Sequence, residues 1–221
     1  MAKELWHLVF KQLSMSCMNI YPEKIMKRLF LAFATSLGLM AGIPSAAAIE
    51  QGQDYWRVEL PDSKQLNTQD NLYFSWLGCT SCRKLEQELA YELEELEYVP
   101  LIARPEWRAA AKLHYTMQLL GLSEQQKSAM IAKIDAGDVD VTDFNAMQQE
   151  LLAMGVDEEA LTDLLEDKEL YRQVQRAEQL AAKYQIQYAP TVIIKGQFAT
   201  DANHTMKIDR FAEVLRYLKS M

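Results

Sequence analysis

Leu72-Tyr73-Phe74-Ser75-Trp76-Leu77-Gly78-Cys79-Thr80-Ser81-Cys82 decides how this 221-residue chain reads. The run from Leu72 to Leu77 is nearly all apolar, which predicts a strand buried on both faces. Two cysteines follow with two residues between them, and beyond them Leu85, Leu89, Leu93 and Leu96 recur at helical spacing. A thiol pair is therefore expected where a strand passes into a helix. In the first helical turn one sulfur can stand exposed while the other waits behind it. Backbone N–H groups and the positive end of the helix stabilise a thiolate there, which makes Cys79 the expected nucleophile and Cys82 the resolving thiol.

Other uses of the pair fit less well. A zinc site needs further ligands at ligand spacing, and Cys17, His7, His114 and His204 are scattered. No metal and no cofactor are expected beyond the redox-active disulfide itself. A purely structural bridge closing so short a loop constrains little of the unfolded chain.

Lys24, Lys27 and Arg28 precede an apolar stretch from Leu29 to Ile43, and Ala46-Ala47-Ala48 offers small residues for cleavage before Ile49. This pattern reads as a secretory signal peptide. The 15-residue stretch is short of the roughly 20 needed to span a bilayer as a helix. Residues 1–25 place the basic region far from the start, so Met26 is a candidate initiator. Residues 1–48 are read as extension and signal peptide, and 49–221 as the mature chain. That chain would keep two cysteines, both in the motif, which suits an oxidising compartment. It would also be acidic: of 23 basic and 31 acidic residues, 18 and 29 remain, or −11. Nucleic acid is disfavoured as a partner. The acidic run Glu86, Glu88, Glu92, Glu94, Glu95 and Glu97 reads as solvated helix surface.

The remaining segments give an order of elements. Tyr55 to Leu60 reads as extended, ended by Pro61-Asp62-Ser63. After the leucine-patterned helix, Tyr98 to Ile102 is a second strand, completing a βαβ unit. From about 106 to 183 the pattern is helical. Gly121 and Gly137 act as stops, Ser123 with Gln126 as a capping box, and Asp140 or Thr142 as a cap for the helix carrying Phe144, Met147 and Leu151. The methionines here read as core. Thr191-Val192-Ile193-Ile194 is a β-branched strand, Gly196 a hairpin turn, Gln197-Phe198-Ala199 its partner, and Ile208 to Leu218 a final amphipathic helix.

A βαβ half, a helical block and a ββα half, with the thiols at the first strand-to-helix junction, resemble the thioredoxin superfamily. The inserted block resembles its DsbA-like branch of periplasmic thiol:disulfide oxidoreductases. The resemblance covers about residues 53 to 220 and rests on Phe74 to Cys82, on Ala109 to Leu122, and on Tyr188-Ala189-Pro190-Thr191-Val192-Ile193-Ile194-Lys195-Gly196. It implies an α/β thioredoxin-like fold, a central mixed sheet flanked by helices. It also implies a cis Pro190 facing the thiols, with Ala189 and Thr191 completing a backbone seat for a peptide strand.

Two departures bear on the chemistry. Strongly oxidising members carry Pro-His between the cysteines, where this chain has Thr80-Ser81. A hydroxyl or an N–H can donate to sulfur without bringing an imidazolium's charge, so a less oxidising disulfide is expected. Tyr73 occupies the place, six residues before Cys79, where the family usually keeps a buried carboxylate. Proton transfer at Cys82 must then use water or another group.

The resulting expectation is a monomeric periplasmic enzyme that donates its Cys79–Cys82 disulfide to secreted proteins and is recycled by a membrane redox partner. Reductase or isomerase action remains open, as does a thioredoxin-fold module that binds Cu(I) or peptides without turnover.

Overall fold

A computed structural model describes residues 48–60 and 65–221. The signal-peptide segment and the Pro61-Asp62-Ser63 break therefore lie outside the described residues. Residues Ile49–Met221 form one compact unit.

The apolar run becomes β2, Leu72–Ser75, every residue of it buried. It pairs in parallel with β3, Glu97–Pro100, and antiparallel with β4, Thr191–Ile194. On the far side of β4 lies β5, Phe198–Asp201, and the two-residue β1, Trp56–Arg57, closes that edge. The sheet order is β1-β5-β4-β2-β3. The Tyr55–Leu60 extension thus contributes only Trp56 and Arg57 to the ladder.

Alternation along the strands divides the core into two layers. Tyr73, Val192 and Ile194 face one side. There they meet Leu85 of α1 (Thr80–Glu88) and Phe211, Leu215 and Leu218 of the last helix, Ile208–Ser220. Leu72, Phe74 and Ile193 face the other side, against Tyr115 and against Leu170, Val174, Ala177 and Ala181. Tyr115 lies on α3, Arg108–Leu119, and the other four on α7, Lys168–Tyr184. A fully buried Leu or Phe of this kind is worth about 1.5–3 kcal/mol in transfer free energy.

Between α3 and α7 run α4 (Glu124–Ala136), α5 (Phe144–Ala153) and α6 (Glu158–Glu166). Their own core holds Leu113, Met117, Met130, Met147, Leu151 and Leu161, so these three methionines are core residues as expected. Leu77, from the turn before the thiols, packs into this same cluster.

The Ser123–Gln126 capping box is present, and Gly137 ends α4 with φ +79°. Two expectations need correction. The leucine-patterned helix is interrupted at Leu89 and resumes as α2, Ala90–Leu93. The cap of α5 is Asp143, whose carboxylate accepts from the N–H groups of Asn145 and Ala146; Asp140 instead closes the preceding turn on Thr142. No described helix is long and apolar enough to cross a membrane.

Candidate functional site

The strand β2 delivers the chain into a tight turn, in which the Cys79 N–H donates to the Trp76 carbonyl at 2.8 Å. Cys79 then caps α1 in an extended conformation. It is bonded to Cys82 in a disulfide. Cys82 is fully buried and Cys79 is half-exposed, so the two sulfurs differ in access as the spacing predicts. The Cys82 N–H donates to the Cys79 sulfur at 3.0 Å, and the Ser81 hydroxyl lies 3.3 Å from it. Each contact would stabilise a thiolate left on Cys79. Thr80 is exposed on the first turn of α1.

The opposite wall comes from the C-terminal half. Ala189–Pro190 is a cis peptide, as the resemblance implies. The Ala189 carbonyl oxygen is 3.9 Å from the Cys79 sulfur. Thr191 is buried as the first residue of β4, its hydroxyl donating to the Tyr188 carbonyl at 2.7 Å. Cys79, Ala189 and Pro190 are therefore brought together. Trp76 stacks on Trp107 with centroids 4.4 Å apart and planes 10° from parallel, joining the active-site turn to the start of the helical block.

Two side chains of α1 are drawn inward. Arg83 is only 14% exposed: it donates to the Leu77 carbonyl at 2.5 Å and pairs with Asp135 of α4. Glu86 is turned inward, away from the acidic surface on which the sequence placed it. Its carboxylate accepts from the Ser75 hydroxyl at 2.8 Å and from the Tyr73 hydroxyl at 3.1 Å. Burial raises its pKa above the ordinary carboxylate range, against those two hydrogen bonds and the nearby Arg83 charge. Burial also drives the Tyr73 phenol upward, so Tyr73 stays a neutral donor. Neither partner of Glu86 is visible from the helix's own periodicity; both come from β2.

The remaining histidines play other parts. His114 stacks on Tyr98 at 4.5 Å, and burial lowers its pKa to about 4. His204 accepts or donates at Asp201 and lies against Trp56. Among the described residues no group of three or more His, Cys, Asp or Glu is placed to hold a metal ion.

Residues 81–216 match the family model described as the DSBA-like thioredoxin domain. The chain belongs to that family. The match takes in Cys82, the helical block and Pro190, and starts two residues after Cys79. A curated relative of the DsbA-like domain, the thiol:disulfide interchange protein DsbA of Burkholderia cepacia, is 27% identical over 203 residues, covering 87% of this chain and 96% of the relative. The crystal structure of Pseudomonas aeruginosa DsbA superposes with TM-score 0.67 at 19% identity, covering 78% of this chain and 93% of that one. A Proteus mirabilis DsbA solved with a non-covalently bound peptide gives TM-score 0.62 at 13% identity, with 79% and 98% covered. These likenesses carry the DsbA-type thioredoxin fold with its helical insertion.

Proposed function

We propose that this chain is a thiol:disulfide oxidoreductase that donates its Cys79–Cys82 disulfide to secreted proteins in the periplasm. The observation that carries the reading is the disulfide at the head of α1, with one sulfur accessible, one buried, and the Ala189 carbonyl beside the accessible one. Its curated relatives are named thiol:disulfide interchange proteins.

A substrate thiolate attacks the Cys79 sulfur. The S–S bond breaks, and its electron pair goes to Cys82. A second substrate thiolate then attacks the substrate's own sulfur in the mixed disulfide and expels Cys79 as a thiolate. The substrate leaves with a disulfide and the protein is left as a dithiol, stabilised at Cys79 by the Cys82 N–H and Ser81. If the second substrate thiol is missing, Cys82 attacks Cys79 and frees the trapped chain. The backbone at Ala189, Pro190 and Thr191 supplies the seat for the extended peptide. A membrane redox partner takes the two electrons to restore the disulfide, and the enzyme works as a monomer.

The test is the dithiol–disulfide equilibrium in glutathione buffers, together with trapping by Cys82→Ser. A potential near about −120 to −150 mV would mark a disulfide donor despite the lost histidine, and Cys82→Ser preloaded at Cys79 as its mixed disulfide with glutathione should exchange glutathione for reduced secreted proteins, leaving variant–substrate mixed disulfides. A potential below about −230 mV would overturn the donor direction and assign a reductase or isomerase, the reading favoured by the absence of an imidazolium between the cysteines.

A further inference from the structure

Helices α3, α5 and α7 leave a cavity between them in the helical block. Its volume is about 450 Å³, within the roughly 300–1,000 Å³ of small-molecule sites. Ala109 of α3, Phe144 of α5, Leu165 of α6, and Leu170 and Val174 of α7 supply its apolar lining. Leu170 and Val174 are buried core residues, whereas Tyr171, at the same cavity, is 61% exposed. The cavity therefore runs from solvent to the core. It shares none of its lining residues with the thiol site.

One charge in this cavity has no counterpart. Lys112, half-buried on α3, holds its ammonium 4.1 Å from the centroid of the Phe144 ring. No carboxylate among the described residues pairs with it, and burial lowers its pKa with no opposing charge. A ring face attracts an ammonium but accepts no hydrogen bond of the strength a carboxylate would. The other charged groups at the cavity are engaged. Arg108, one turn earlier on α3, is paired with Glu178 of α7. Asp167 caps α7, its carboxylate accepting from the Glu169 N–H at 2.8 Å. Nor is Lys112 part of a general excess of base, since the chain carries a net charge of −8. An apolar cavity with one unmatched, partly desolvated cation is complementary to an apolar molecule with one negative head.

We propose that this cavity is a binding site for a small amphiphilic carboxylate, whose head accepts from the Lys112 ammonium while its alkyl tail lies against Leu165, Leu170 and Val174. Ala109 keeps the space open, because its side chain is a single methyl. Burial of the tail supplies attraction and the head supplies selection. Asp167 beside the cavity repels a second negative group, which selects a monocarboxylate over a dicarboxylate or a phosphate ester.

The experiment is a nuclear magnetic resonance titration of the disulfide form with octanoate, beside octanol and octyltrimethylammonium of the same tail length. Octanoate should shift the methyl signals of Leu165, Leu170 and Val174 together, saturably and with one-to-one stoichiometry. It should bind about tenfold more tightly than octanol, the low end for a hydrogen bond to a charged group, and octyltrimethylammonium should not bind. Lys112→Met keeps the apolar stem and loses the charge, so it should weaken octanoate about tenfold and leave octanol unchanged. Ala109→Phe should fill the cavity and abolish both. Equal affinity for octanoate and octanol, or octanoate binding unaltered in Lys112→Met, would overturn the proposal. So would shifts confined to Ala189, Pro190 and Thr191, or no saturable shift at all. Displacement of octanoate by a lower concentration of the peptide Glu-Phe-Glu would assign the cavity to a protein partner instead. Should Ala109→Phe not fold, the wild-type shifts and Lys112→Met decide the matter without it. None of these readings depends on thiol exchange, so failure of the donor reading would leave the result intact.

Discussion

The Ala189 carbonyl oxygen lies 3.9 Å from the Cys79 sulfur although 110 residues separate the two in sequence. One comes from the turn after β2 and the other from the turn before β4, and these strands pair antiparallel. The register Phe74 to Thr191 therefore fixes the gap between the accessible sulfur and the backbone facing it. The site's geometry is a property of the sheet, and the helical block is attached beside it.

Ser81 should tune the redox couple. Its hydroxyl is 3.3 Å from the Cys79 sulfur and is exposed, so its effect lies at the low end for a hydrogen bond to a charged group. Ser81→Ala should favour the disulfide over the dithiol by about 1 kcal/mol, roughly fivefold in the glutathione equilibrium. No change in that equilibrium would show that the Cys82 N–H alone stabilises the thiolate.

Gly78 is held by the indole in front of it. A Cβ at this position would come within 2.3 Å of the Trp76 ring, which is itself stacked on Trp107. Gly78→Ala should cost about 1–3 kcal/mol in urea unfolding, as overpacking does, and should alter tryptophan fluorescence through the displaced stack. Wild-type stability with an unchanged spectrum would mean that the turn adapts freely.

His114 should make the fold acid-sensitive. Burial, with Lys127 nearby, holds its folded pKa at about 4, whereas the unfolded chain binds the same proton near about 6.5. The unfolded state therefore binds more protons between those values, and stability falls as pH drops through that window. The ring is only half-buried, so about 1–2 kcal/mol is expected. His114→Phe keeps the stack on Tyr98 and should remove that slope from urea midpoints measured at successive pH values.

Asp54 should act at lower pH. Arg210 donates to both of its oxygens, at 2.8 and 2.7 Å, and the Glu50 N–H donates at 2.9 Å. The Arg210 hydrogen bonds hold the carboxyl below the ordinary carboxylate range despite its burial. The stabilisation is complete above the unfolded value of about 3.9 and is lost as pH falls through the folded one. Asp54→Asn should cost about 1.5–3 kcal/mol at neutral pH and flatten this acid limb; equal midpoints at neutral pH would refute it.

What the sequence disclosed follows from local physics. The apolar run of β2, the β-branched β4, the Gly196 turn and the Ser123–Gln126 box each carry their cause within a few residues. The active-site cysteines are equally local, since the spacing itself implies the helix start. The break at Leu89 was hidden because the leucine pattern runs straight through it. The cap at Asp143 was hidden among Asp140, Thr142 and Asp143, three polar residues that can all cap. Glu86 was misread because what draws it inward lies elsewhere, at Ser75 and Tyr73 on β2, and Arg83 is held in the same way by Asp135 on α4. Side chains whose partners are distant in sequence leave no periodic trace.

The placement of β4 between β2 and β5 separates two events in the life of the chain. The sulfur pair is made early, and the residues that face it are made some 110 positions later, after the whole helical block. A nascent or truncated chain ending before Thr191 holds a complete reagent but no sheet partner for β2 on that side. Reactivity is thus acquired first and discrimination last, and only the finished chain has both.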